Sequence, residues 1–356
     1  MNEIILVTGG AGFIGSHTSL SLLEKGYKIK IIDSFINSSK KSIERIKLIL
    51  DKKKLYYKDR IEVIEGDLNN IKCIDNIFSK ARNENQSITG VIHFAGLKYI
   101  NESIKNPILY WQNNITGTLN LLNTMNRYGC NLIVFSSTAA IYGSLNNCPI
   151  SENSPKLPIN PYAETKLTIE KFLNNLFESS PDRWKVANLR YFNPIGSHES
   201  GIIGEDPCNY PSNIFPLIIK AAAKQIDKIT IFGNDWKTRD GTCIRDYIHV
   251  MDLAEGHIKV LEYLLDQKKG KYINLNIGRG KGTTVLELIN TFIESNKVNI
   301  KYVFSKRRQG DICTSIADTK LFTSLLNWTP KRDIKKMCID GWKWKLLNPN
   351  GYKNNL

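Results

Sequence analysis

A short β-branched run, Ile4-Ile5-Leu6-Val7, breaks directly into Thr8-Gly9-Gly10-Ala11-Gly12-Phe13-Ile14-Gly15. Such a run suits a buried parallel strand, which is covered on both faces and needs no polar alternation. A helical pattern follows, with Leu20, Leu22 and Leu23, and stops at Gly26. A second apolar strand, Ile29 to Ile32, ends at Asp33. This is a strand, glycine turn, helix and strand with an acid at its end. The glycines let the helix N-terminus approach a pyrophosphate closely, and the N–H groups and dipole there favour an anion. Asp33, about 20 residues on, can accept hydrogen bonds from a ribose diol. It would repel a 2′-phosphate, so the unit predicts NAD rather than NADP.

Further βα units repeat the pattern. Ile61-Glu62-Val63-Ile64 ends in Gly66-Asp67-Leu68, Val91-Ile92-His93-Phe94 in Ala95-Gly96-Leu97-Lys98, and Leu132-Ile133-Val134-Phe135 in Ser136-Ser137-Thr138. A long helical pattern runs from about Pro107 to Tyr128. Asp67 suits either the edge of an adenine or a helix N-cap. Ligands of doubly wound sheets sit beyond the strand ends, and these ends are polar or glycine-rich. The prediction is an α/β fold, a Rossmann-type doubly wound parallel sheet with a smaller mixed α/β substrate-binding domain. After Arg190 the texture changes to Asn193, Pro194, Gly196, Gly201, Gly204, Pro207, Pro211 and Pro216, which marks looped structure. The division is placed at 1–190 and 191–356, with parts of 245–278 expected to pack back on the first domain.

Asn160-Pro161 is a plausible helix entry for Tyr162-Ala163-Glu164-Thr165-Lys166. Residues four apart share a helix face, so Tyr162 and Lys166 stand one above the other. A free phenol, with a pKa near ~10, is a poor base at neutral pH, and a nearby ammonium lowers that value. The pair is one way to make a Tyr that exchanges protons near neutral pH. By itself the spacing is common on amphipathic helices. Thr138, at another strand end, can bond a substrate oxygen, orient the phenol or cap a turn.

Composition narrows the alternatives. With 356 residues the chain can bury a substantial core, and 42% hydrophobic and 23% charged residues are ordinary for a globular protein. No apolar run is long enough to cross a bilayer and Met1-Asn2-Glu3 opens no signal peptide, so a cytoplasmic protein is expected. Seven scattered cysteines (73, 130, 148, 208, 243, 313 and 338) without a Cys-x-x-Cys pair predict reduced thiols rather than zinc or disulfides. His17, His93, His198, His249 and His257 form no H-E-x-x-H, and neither a G-x-S-x-G elbow nor a Walker loop is present, so no metal is expected. The net charge of +15 is mostly dispersed Lys. Lys52-Lys53-Lys54 and Lys268-Lys269-Gly270-Lys271 read as solvated surface. Gly278-Arg279-Gly280-Lys281-Gly282 reads as a basic turn.

Gly9, Gly12 and Gly15 form G-x-x-G-x-x-G, which resembles the short-chain dehydrogenase/reductase superfamily. Narrower motifs accompany it: His93-Phe94-Ala95-Gly96-Leu97-Lys98, Arg190-Tyr191-Phe192-Asn193-Pro194, Gly204-Glu205-Asp206-Pro207, Ile231-Phe232-Gly233-Asn234-Asp235, Asp240-Gly241-Thr242 and Arg245-Asp246-Tyr247-Ile248-His249-Val250-Met251-Asp252-Leu253-Ala254. With these, the chain resembles the UDP-glucose 4-epimerase family over nearly its whole length. The resemblance implies tightly held NAD and reversible inversion at C4 of UDP-glucose or UDP-galactose. Tyr162, helped by Lys166, would remove the 4-hydroxyl proton while a hydride moves to NAD. The 4-keto sugar would turn over and be reduced on its other face. The reaction is redox-neutral, so NAD need not leave. Binding energy should sit on the UDP while the sugar rotates.

The resemblance places the cofactor on Gly9, Gly12, Phe13, Ile14, Gly15, Asp33, Asn37, Asp67, Leu68, Phe94, Ala95, Gly96, Lys98, Asn113, Ser136, Tyr162 and Lys166. It places the substrate on Lys98, Thr138, Tyr162, Asn193, Asn213, Phe232, Arg245, Arg308, Asp311 and Ser315. The third basic cluster, Lys306-Arg307-Arg308, thereby becomes part of a site, since guanidinium matches phosphate oxygens. Thr138 stands where the family often has Ser. Ser315 stands where members restricted to plain hexoses resemble one another in a bulky Tyr, which implies room here for UDP-GlcNAc and UDP-GalNAc. A 4,6-dehydratase would resemble an Asp-Glu pair after Thr138, where this chain has Ala139-Ala140. A glucuronate epimerase or decarboxylase fits the later motifs less well. A silent sugar-nucleotide sensor is expected to lack the Tyr or Lys. Specific nucleic-acid binding is not expected. The helices around 107–128 and Tyr162 are the expected homodimer surface.

Overall fold

The computed structural model describes residues 3–145, 148–207, 211, 213–308 and 310–353. Its strands are β1 (Ile4–Thr8), β2 (Lys28–Asp33), β3 (Ile61–Glu65), β4 (Ile88–His93), β5 (Leu132–Thr138), β6 (Lys185–Tyr191), β7 (Asn193–Ile195), β8 (Ile229–Phe232), β9 (Ile244–His249), β10 (Lys271–Ile277), β11 (Gly282–Thr284), β12 (Tyr302–Ser305) and β13 (Thr314–Ser315). Seven of them form one sheet in the order β10-β6-β5-β4-β1-β2-β3. Every pairing in it is parallel. Chain order runs outward from β1 on one side and from β4 on the other. The crevice between the ends of those two strands is therefore the topological switch point, where such sheets bind ligands.

The sheet is buried on both faces, which explains the unbroken apolar strands. On one face Ile5 and Val7 join Leu20, Leu23, Ile46 and Leu261. On the other, Ile4 and Leu6 join Ile74, Phe78, Leu121 and Ile169. Burying each such side chain fully contributes about 1.5–3 kcal/mol. A third cluster, including Phe215, Tyr247, Leu288, Phe292 and Met337, lies under a smaller sheet of β11, β9 and β13, with β7 also paired to β9. Strands β8 and β12 form a separate pair. β10, well beyond residue 190, is the edge strand of the large sheet next to β6, and the helix Val250–Leu265 contributes to the core of that sheet.

Two expectations are corrected. The helical pattern of 107–128 contains a π-helical turn, Trp111–Thr116, between Pro107–Tyr110 and Gly117–Tyr128. Asn114 in that turn accepts from the Leu97 amide at 2.8 Å and donates to Leu97 O and to Thr165 Oγ1, each at 3.1 Å. The extra residue per turn goes with this inward amide, as π turns often do near functional sites. The N-cap of Ile71–Asn83 is Asn70, not Asp67. Asp67 instead accepts from the Asn69 amide at 2.8 Å. The described cysteines are free thiols, and Cys208 lies outside the described residues. Among the described residues no helix is long and apolar enough to cross a membrane.

Candidate active site

The glycine turn after β1 is shaped by close packing. Gly9 has φ +67°, and a Cβ there would lie 2.8 Å from the Ala95 amide nitrogen. A Cβ on Gly15 would lie 2.2 Å from Gly9 O. Side chains at either position would push the turn off β4 or off the helix Phe13–Glu24. That helix begins at Gly12 with no side-chain cap and no acid in its first turn. Its leading amides are left for an anion. Asp33 ends β2 beside them. Its carboxylate accepts from Ala11 N (2.9 Å), Phe35 N (2.9 Å) and Ser38 Oγ (2.7 Å), which aims it into the crevice. Anion-ready amides next to a fixed carboxylate fit a pyrophosphate joined to a ribose diol, so the residues present suit NAD.

All seventeen residues expected on the cofactor line this one cleft, from Gly9 at β1 to Lys166. Glu205, Asp206 and Pro207 close it from the far side, together with Tyr352 near the C-terminus. Lys98 reaches across, its Nζ 3.7 Å from Glu205 Oε1. Burial pushes the Glu205 carboxyl up, and Lys98 works against that.

Tyr162 and Lys166 sit on the helix Pro161–Ser179, whose N-cap Asn160 accepts from the Ala163 amide at 2.9 Å. Proline at its first position costs no hydrogen bond there. Lys166 donates to Ser136 O at 2.8 Å, and its ammonium is 4.8 Å from the Phe135 ring centre. Burial lowers its pKa to about 8, with Glu170 acting in the opposite direction. The expectation that Lys166 lowers the Tyr162 pKa is corrected for the protein alone. Burial dominates and pushes Tyr162 up to about 12, and a hydrogen bond with Thr138 is what pulls it down. A phenolate taken out of water is costly unless charge compensates it. Thr138 is not a cleft-lining residue. Its hydroxyl both bonds the phenol and caps the short helix Ala139–Tyr142, accepting from the Ala140 amide at 3.1 Å. No acid occupies 139 or 140.

Six of the other residues expected on the substrate form a second neighbourhood, on the smaller sheet and the β8–β12 pair. Arg245 on β9 donates to Ile312 O at 2.8 Å and is paired in register with Ser315 of β13. Arg308 lies 5.3 Å from the Phe232 ring centre and 2.8 Å from Asp311 Oδ1. Asn193 opens β7, and β7 pairs with β9. Asn213, the seventh, is the exposed N-cap residue of Ile214–Ala222 and makes no side-chain cap bond. None of these seven lines the cleft around Tyr162. Of the remaining basic stretches, Lys53 and Lys269 make exposed ion pairs with Glu24 and Asp182. The turn after β10 is closed on Asp246, which accepts from the amides of Arg279 (2.8 Å) and Gly280 (2.9 Å).

Sequence reasoning passed over several residues at the cleft. Tyr191 hydrogen-bonds Ser136 through their hydroxyls, and His93 links Thr8 (2.7 Å) to Thr118 (2.9 Å). Glu205 and Tyr352 line the cleft as well, and Asn114 lies buried behind it, bonded to the cleft residue Leu97. His93, Tyr191 and Glu205 lie inside the family motifs, and that is their signal in the sequence. Burial lowers all five histidines.

Comparison with known proteins agrees with this geometry. Residues 6–340 match the family described as GDP-mannose 4,6 dehydratase. The chain is 45% identical over 350 residues to the UDP-glucose 4-epimerase of Bacillus subtilis, covering 98% of this chain and 99% of that one. Its fold resembles that of the UDP-glucose 4-epimerase of Stenotrophomonas maltophila, solved with bound NAD and formylated UDP-arabinopyranose (TM-score 0.91, 38% identity, 98% and 99% of the two chains). It also resembles the Bifidobacterium longum enzyme in complex with NAD+ and UDP (TM-score 0.89, 38% identity, the same coverage). The dehydratase match spans the common fold, whereas these full-length relatives are epimerases and the strand end at Thr138 lacks a dehydratase's acids. The chain belongs to the UDP-glucose 4-epimerase family of extended short-chain dehydrogenases/reductases.

Proposed function

We propose that the protein interconverts UDP-glucose and UDP-galactose at C4, with NAD as a cofactor that stays bound through the cycle. The observation that carries this is the placement of Tyr162 and Lys166 in the lining of a cleft built for a dinucleotide, with Thr138 bonded to the phenol from behind, in a chain of this family. NAD, when bound, supplies the oxidation and re-reduction of the sugar carbon and adds positive charge beside the phenol. Tyr162 takes the proton from the 4-hydroxyl and later returns it. Thr138 holds the phenol by its hydroxyl, and its extra methyl relative to Ser leaves that bond in place. Lys166, with a pKa near 8, is mostly an ammonium at neutral pH and helps offset the cost of a buried phenolate.

Arg245 and Arg308 hold the pyrophosphate, Phe232 supports the uracil end, and Asn193, Asn213 and Asp311 complete the nucleotide anchor. Ser315, at the end of β13 beside Arg245, leaves space for a 2-acetamido group, so UDP-GlcNAc is also turned over. Lys98, lining the cleft, contacts both cofactor and sugar nucleotide. The helices 100–128 and 161–179 expose Ile104, Ile108, Trp111 and Phe172, which supports a homodimer through that face. Free thiols and dispersed surface charge support a cytoplasmic location. The deciding experiment incubates the purified protein with UDP-galactose and no added NAD. UDP-glucose should form, and its absence from NAD-loaded protein would refute the reading.

A further inference from the structure

Tyr162, Lys166 and Glu170 are spaced at four residues and share one face of the helix Pro161–Ser179. The end of β5 meets that face at three consecutive residues. Thr138 bonds Tyr162, Ser136 O accepts from Lys166 at 2.8 Å, and the Ser137 hydroxyl donates to Glu170 Oε1. The first two contacts hold the groups assigned to the reaction. The third holds no reacting group and is the most deeply buried, with Ser137 inaccessible and the Glu170 side chain 4% exposed.

Glu170 is itself gripped. Arg190 on β6 donates Nε to Oε1 (3.0 Å) and Oε2 (3.2 Å), and Nη2 to Oε2 (2.6 Å). The remaining guanidinium nitrogen donates to Tyr142 Oη and to Glu152 O, both at 2.9 Å. Burying such a pair costs desolvation free energy on both partners, and apolar residues of similar volume often stabilise a fold as well. Stability alone is therefore a poor reason for a carboxylate here. What apolar residues could not do is hold a hydroxyl at a defined place on the strand end.

We propose that Glu170, fixed by Arg190, is a positioning residue. By holding Ser137 it sets the Ser136–Thr138 strand end at the distance from the helix at which Thr138 meets Tyr162 and Ser136 meets Lys166. The proposal rests on the epimerase reading. Misplacing reacting groups by a fraction of a bond length lowers rate while leaving ligand binding largely intact.

The test uses the full NAD-loaded chain with UDP-galactose and the variants Ser137→Ala, Ser137→Thr and Glu170→Gln. Ser137→Ala removes one contact and keeps the Glu170–Arg190 pair. It should lower kcat by about tenfold, a modest case of lost alignment. KM should stay within about twofold, and the bound NAD fraction and unfolding midpoint should match the wild type. Ser137→Thr, which restores the hydroxyl, should recover most of kcat. Glu170→Gln should lose more kcat and also unfold earlier, because Arg190 is left without its counter-charge. The role is overturned if Ser137→Ala keeps wild-type kcat, or if only its unfolding midpoint falls. Should Ser137→Ala fail to fold, kcat per NAD-loaded site in Glu170→Gln decides in the same way. An inactive wild type would overturn the epimerase reading and this role together, whereas an active wild type with unaffected variants overturns the role alone.

Discussion

Lys166 and Arg308 are both cations assigned to the reaction, and they sit in opposite settings. Lys166 is 4% exposed, bonded to a strand carbonyl and walled by Phe135. The Arg308 side chain is 42% exposed, paired with Asp311 and laid on Phe232. Burial makes the charge of Lys166 costly and brings its pKa to about 8, so a small change in surroundings alters its protonation. Arg308 stays half in water, where its pair with Asp311 contributes little to stability and its donors remain available to a phosphate. Under the proposed function the cleft carries the chemistry in a low-dielectric place, and the β8–β12 neighbourhood carries recognition on an accessible surface.

The contrast predicts which variants lose rate and which lose affinity. Tyr162→Phe should reduce kcat by about 10³-fold or more, since it removes the only proton-transfer group proposed at the sugar. The purified variant should still contain NAD, read by absorbance after denaturation; loss of the cofactor would mean Tyr162 serves binding instead. Arg308→Ala should act the other way and raise KM for UDP-galactose by about tenfold, the scale of one charge-assisted hydrogen bond, with kcat nearly unchanged. A fall confined to kcat would erase the division between the two regions.

Ser315→Tyr should reduce turnover of UDP-GlcNAc by about tenfold while sparing UDP-glucose, a steric cost typical of overfilling a packed site. No UDP-GlcNAc turnover by the wild type, with good UDP-glucose activity, would remove the basis for this role. The smallest effect is on pH. Because Lys166 titrates near 8 and acts as an ammonium, kcat should fall to about half near pH 8 and continue falling above it. Stability runs the opposite way. Lys166 is lowered from 10.5 to about 8 on folding, so between those values the unfolded chain binds more protons and this group's contribution to stability rises with pH. A kcat profile flat through pH 9 would show that the charge of Lys166 is not needed.

Much of the cleft was legible because it is local. The apolar run of β1, the glycine turn and Asp33 at the end of β2 lie within one supersecondary unit, and their spacing carries the geometry. The helix entry at Asn160-Pro161 is likewise a short-range signal that the N-cap bond matches. Asn114 is not legible in the sequence, because it looks like any polar residue of a helix until the π turn directs its amide to Leu97. The Tyr162 pKa is not legible in the sequence, which shows a neighbouring Lys but not how much water is lost.

The parallel sheet, the dinucleotide turn, the acid at the end of β2 and the Tyr–Lys pair were legible from sequence, since periodicity and spacing are properties of the backbone over a few residues. The tertiary structure alone decided what joins them. Burial, not the adjacent Lys, governs Tyr162, and Arg190 reaches Glu170 from another strand. Glu205 meets Lys98 across the cleft, and Arg308 is set apart from Lys166 in the half-exposed neighbourhood of β8 and β12. Desolvation and ion pairing depend on what packs around a group from distant parts of the chain, and that is settled only when the sheet closes.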